Sequence, residues 1–218
     1  MTLVLSWTLT LAAFVAAGWA ALLAVSFLFS VVGLHLAGSP RPVTSNGDAA
    51  IARAASACHD TGLTGWALVQ EAQHLVAQQM PEFGFFNAFD FPPRAFARGV
   101  GYCWQRAGAL QLILERLGFR VRMVHAFLNR FPPTVSKGRL VPSIVCGHAW
   151  LRVRIGDEIR DVCPGSPDNV PGRVHFESLS RVHAWGPGIF LLSYLGSPIA
   201  IMLAFVVERV LRSRAPTR

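Results

Sequence analysis

The 218 residues predict an α+β domain, helices packed on an antiparallel sheet, flanked by two transmembrane helices. Three observations carry this expectation. The hydrophobic fraction is 52%, the mean hydropathy +0.41 and the charged fraction only 15%, whereas soluble chains carry roughly 25% charged residues. The longest uncharged runs lie at the two ends of the chain. Between them, apolar residues spaced by three and four give way near Gly118 to apolar–polar alternation, so helices precede strands. The same composition excludes disorder.

From Thr2 to Leu34 there is no ionisable side chain, a stretch well beyond the ~20 residues that span a bilayer. A cleaved signal peptide has a shorter core preceded by basic residues, and none precede this run. Ile189 to Val207 forms a second uncharged run, interrupted by Gly196-Ser197-Pro198 and followed by Arg209, Arg212, Arg214 and Arg218. The expected organisation is a transmembrane helix at 1–37, a Pro/Gly/Ser linker at 38–48, the domain at 49–186, a second transmembrane helix at 187–208 and a basic tail at 209–218. Both termini then share one side of the membrane. Arginines near the membrane divide evenly, Arg41, Arg53, Arg173 and Arg181 on the domain side against the four of the tail, so the side of the domain stays open. The tail's density favours an exported domain; four cysteines without a disulfide framework favour the reverse.

The formal charge is +8, made of arginine apart from Lys137, which reads as high-GC coding bias as readily as function. The excess is scattered and no nucleic-acid-binding signature accompanies it, so membrane lipid is the expected anionic partner and nucleic acid is not.

Within the domain, Asp48 is placed to cap a helix from Ala49 to Cys58, and apolar positions 66, 68, 69, 72, 75, 76 and 80 make a second helix from Trp66 to Met80. Pro81 stops it, and an aromatic, proline-rich stretch is expected to run irregularly to Gly99. A third helix runs from Cys103 to Leu117 with Gly118 as its C-cap. Strands are expected at Phe119–His125, Ala149–Ile155 and Ile159–Cys163.

The catalytic candidates are Cys103, His148 and Asp161. Cys103 opens a helix, where unpaired N–H groups favour thiolate and can stabilise an oxyanion. His148 opens one strand and would hold the thiolate and protonate a leaving group. Asp161 closes the next strand and would fix the imidazole tautomer. Register tests this set: if Gly156-Asp157 is a two-residue hairpin loop, Asp161 pairs with Arg152, four positions from His148 and too far for a hydrogen bond.

The words GYCWQRAGALQLILERLGFRVRMV, GHAWLRV and RDV stand in the order cysteine helix, histidine strand, aspartate strand. On these the chain resembles the transglutaminase-like superfamily, the papain-related Cys-His-Asp fold that includes arylamine N-acetyltransferases and lasso-peptide leader proteases. The resemblance covers roughly Pro93 to Gly165. It implies Cys103 as nucleophile, His148 as base and Asp161 as orienting partner, in a membrane-anchored cysteine enzyme that hydrolyses an amide or transfers its acyl group, without a cofactor. A peptide or amide is then the substrate. The alternative is a catalytically silent accessory subunit whose spans pack against other membrane subunits. RGVGYCW departs from the acetyltransferase turn by one extra residue, and no glutamine stands in the dozen residues before Cys103.

Other groupings are weaker. Cys146, His148, Cys163 and His175 lack the tight ligand pairs of a zinc site, so no metal is expected. Cys146 and Cys163 would form a disulfide only in an exported domain. Cys58, His59 and Asp60 are contiguous and diverge from a helix end, while His125, His175 and His183 pack or face solvent. The aromatic run Phe83 to Phe96 is placed to wall a substrate cleft beside Cys103.

Overall fold

The computed structural model describes residues 46–84, 90–136, 139–141 and 143–190, together with 13–21 and the single positions 7, 10, 24 and 43. The chain divides into two compact units, Met1–Pro40 with Phe190–Arg218, and Arg41–Ile189. In the first, residues 13–21 are helical, and Phe14, Val15 and Trp19 are all more than half exposed. Most of the expected second span, most of the linker and the basic tail lie outside the described residues. Among the described residues, no helix is long and apolar enough to cross a membrane.

The second unit is α+β. Four helices, α1 (Gly47–Asp60), α2 (Gly65–Gln79), α3 (Pro92–Arg98) and α4 (Cys103–Arg116), precede seven strands: β1 (Arg120–Phe131), β2 (Thr134–Ser136), β3 (Arg139–Val141), β4 (Ile144–Ile155), β5 (Glu158–Val162), β6 (Glu177–Ser178) and β7 (His183–Ala184). The main sheet runs β5-β4-β1-β6, with β7 also on β1, and its pairings are antiparallel. β2 and β3 form a separate hairpin.

Several boundaries differ from expectation for local reasons. The cap of α1 is Asn46, whose Oδ1 accepts the Asp48 N–H at 2.9 Å, so the helix begins before Asp48. The stretch expected to be irregular contains α3: Pro92 and Pro93 fill its first turn, where their missing N–H groups cost nothing. α4 starts and stops as the sequence indicates, with Gly118 just beyond it at φ +85°. β1 continues six residues past His125 because the ladder slips between Ala126 and Asn129 and then resumes. Buried Asn129 holds that bulge, donating from Nδ2 to the carbonyls of Ala126 (2.8 Å) and Cys146 (3.3 Å) and accepting from Ser178 Oγ at 2.6 Å.

One face of the sheet carries the main core. Ile51, Ala54 and Ala55 of α1, Val69, Ala72 and Val76 of α2, Phe96 of α3 and Leu110, Ile113 and Leu114 of α4 meet Met123, Leu151, Val153 and Val162. The three-and-four spacing of the helical residues and the alternate spacing of the strand residues put each set on one side. α3 lies so close to α4 that a Cβ at Gly108 would stand 2.5 Å from Pro92 Cγ. The opposite face bears a smaller cluster, Val124, Ala126, Trp150 and Cys163, against Val174, Phe176 and Val182.

Candidate active site

Cys103 is the first residue of α4. The turn before it is clamped by Gln105, whose Oε1 accepts the Tyr102 N–H at 3.2 Å and whose Nε2 donates to the Asp90 carbonyl at 2.7 Å. Asp90 in turn accepts from Arg98 Nε at 2.8 Å. One turn into α4, buried Arg106 donates from Nε to the Gly101 carbonyl at 3.1 Å and lies within electrostatic reach of Cys103 and Cys163. Burial pushes the Cys103 thiol up to about 11, against the opposing pull of the backbone N–H groups of Ala149, Trp104 and Cys103 itself. Ala149 follows His148 on β4, so the thiol sits beside the segment that carries the imidazole.

His148 pairs across the ladder with Ala126 and is buried. Its ring packs among Phe176, Phe131 and Trp150, with centroids at 4.6, 5.1 and 6.1 Å. Burial, then the positive charges of His175, His125 and Arg106, lower its pKa to about 3. Its Nε2 lies 3.3 Å from Cys163 Sγ.

Cys163 immediately follows β5. The Gly165 N–H donates to its sulfur at 3.4 Å, and Asn169 Nδ2 donates to its carbonyl at 2.8 Å while lying 2.9 Å from His175 Nδ1. Burial raises this thiol to about 12.

Asp161 stands elsewhere. Ile155 pairs with Glu158 and Arg152 with Asp161, the register of the two-residue loop Gly156-Asp157. Asp161 Oδ1 accepts from Trp150 Nε1 at 2.9 Å and from Arg152 Nε at 3.0 Å, at a partly exposed position. The structure therefore brings Cys103 to the strand segment of His148 and leaves Asp161 on other partners. Among the described residues, the hydrogen bond of the His148 side chain goes to Cys163. Sequence reasoning missed this role for Cys163. The signal was the register itself: one step beyond Leu151↔Val162, Cys163 falls opposite Trp150, on the face that carries His148.

All four cysteines are free thiols, and among the described residues no three His, Cys, Asp or Glu side chains converge to hold a metal ion. His125 is buried between Phe127 and Trp185, and burial lowers its pKa to about 4. A cleft of about 480 Å³ is lined by Arg130, Pro132, Pro133, Val174, His175 and Phe176, and neither Cys103 nor His148 lines it. Of the stretch expected to wall the cleft, residues 85–89 lie outside the described residues; Phe96 is core, exposed Phe91 lies edge-on to Trp104 beside Cys103, and the Phe83 ring faces the Arg106 guanidinium. At neutral pH the site holds an uncharged thiol and an uncharged imidazole, so a proton must move as a substrate reacts.

No protein-family model, no curated protein and no solved structure matches the chain.

Proposed function

We propose that this chain is a membrane-anchored, transglutaminase-like cysteine enzyme that hydrolyses an amide or transfers its acyl group through a thioester on Cys103. The observation that carries this is the place of the thiol, at the N-terminus of α4 and beside the N–H of Ala149, next to His148 on β4. The exposed Phe14, Val15 and Trp19 on the helical residues 13–21 support the anchor. In the reaction, the Cys103 proton passes to His148 as sulfur attacks the amide carbonyl. The oxyanion is met by N–H groups at the helix start. The C–N bond then breaks as His148 returns the proton to the departing amine. Water or a second amine attacks the thioester, losing its proton to His148, and Cys103 is restored.

The second reading is a catalytically silent accessory subunit. It is favoured by the occupied state of Asp161, whose carboxylate is committed to Trp150 and Arg152. Acylation of the full-length membrane protein by p-nitrophenyl acetate separates the two, with adducts mapped by peptide mass spectrometry. In an enzyme, Cys103 gains the acetyl group at least ten-fold faster than the more exposed Cys146, and His148→Ala removes that advantage. Equal or slower labelling of Cys103 supports the silent subunit.

A further inference from the structure

We infer that Cys163 is the positioning residue of His148, holding its Nε2 so that Nδ1 is left to exchange the proton with Cys103. This deepens the function proposed above and rests on it. The geometry supplies the Nε2 side of this arrangement. Cys163 Sγ is 3.3 Å from Nε2, and an imidazole whose one nitrogen is engaged has its tautomer and ring plane set for the other. The sulfur is itself fixed: Gly165 N–H donates to it, and the Asn169 amide holds the Cys163 carbonyl. Gly165 leaves room for this arrangement, since a Cβ there would stand 3.2 Å from both Cys163 Sγ and His175 Cε1. Phe131 and Phe176 close on the ring edge-on, which keeps it in the plane that Cys163 selects.

A thiol in this role differs from a carboxylate in charge. The titratable groups facing the pair are Arg106 and Cys103 of α4, His125 of β1, His175 and, toward Cys163, Asp161. The one carboxylic acid among them, Asp161, has its side chain bound to Trp150 and Arg152. Nothing next to the ring therefore rewards an imidazolium, and the Cys103–His148 pair rests uncharged until substrate engages it.

The test is the pH profile of Cys103 alkylation by iodoacetamide in the full-length protein, followed on the Cys103 peptide so that Cys58, Cys146 and Cys163 do not interfere. Cys163→Asp places a carboxylate against Nε2 and is expected to move the profile at least one pH unit lower, ten-fold in rate near neutrality. Cys163→Ser keeps a hydrogen-bonding group and should stay within about two-fold of the parent, while Cys163→Ala should fall below the serine variant by at least five-fold. If the aspartate variant does not fold, the serine–alanine comparison decides alone. Identical profiles for serine and alanine, or an unshifted profile for folded Cys163→Asp, overturn the assignment. His148→Ala separates the two levels: a profile that responds to His148→Ala but to no Cys163 variant removes only the role of Cys163. One that ignores His148→Ala removes the catalytic pair and this assignment with it.

Discussion

The two faces of the sheet are built from the same strands and do different work. On one, Met123, Leu151 and Val153 meet four helices and lie in an aliphatic core. On the other, the neighbouring residues Val124, Trp150 and His148 are covered by the segment after β5, with Cys163, His175 and Phe176 supplying much of the cover. The aliphatic face fixes the strands; the aromatic face surrounds the buried His148 imidazole and Cys163 thiol. The pleat of two strands thus places the aliphatic core and the His148–Cys163 pair on opposite faces.

Several changes break or sharpen this contrast. Acid should act first on the two buried histidines of the central strands, His148 on the aromatic face and His125 on the other. His148 and His125 are held uncharged by burial, with pKa values near 3 and 4, so the folded state binds fewer protons than the unfolded chain below about pH 6.5. The stability each contributes is complete above that pH and is lost on acidification toward pH 4 and 3, with a slope of up to about 1.4 kcal/mol per pH unit for each. Denaturant melts from pH 7 to 4 should show the loss, and His148→Gln should reduce the slope. In the aliphatic core, Ile113→Ala opens a cavity in a fully buried site and should cost about 2–5 kcal/mol by the same melts at pH 7, with no change in that slope. At the bulge, Asn129→Ala leaves the carbonyls of Ala126 and Cys146 without its amide and should cost about 1–3 kcal/mol. The smallest effect is expected from Asp161→Asn, a partly exposed partner of Arg152: a loss of at most about 1 kcal/mol and less than about two-fold change in Cys103 alkylation. A ten-fold fall in that alkylation would instead return Asp161 to the role of orienting partner.

How much of this was legible in the sequence follows from the range of each determinant. The three long helices could be read because apolar spacing and Gly118 act within a few residues. The β4–β5 register could be read too, since the two-residue loop and the pleat dictate which residues oppose. α3 could not, because two prolines mark both a broken chain and a first turn, and seven residues are too few for periodicity to decide. The length of β1 was hidden by the bulge, whose clamp is Asn129 bonding to residues on two strands. Cys103 was singled out because it begins a helix, which it does; His148 was expected to open a strand, but that strand begins at Ile144, four residues earlier, and His148 lies within it. Cys163 follows a strand and gains meaning only from the imidazole that folding brings to it, while Asp161, which looked the natural partner, has its side chain drawn to Trp150 and Arg152.

The stacking of His148 on Trp150 has an optical consequence. The rings are nearly parallel, 13° apart with centroids at 6.1 Å, and the indole N–H is fixed by Asp161. A protonated imidazole quenches indole emission by accepting an excited electron, whereas a neutral one does so poorly. Trp150, almost fully buried, is therefore a built-in reporter of the charge on its neighbour: its share of the emission, taken as the difference from Trp150→Phe, should fall as His148 takes up a proton.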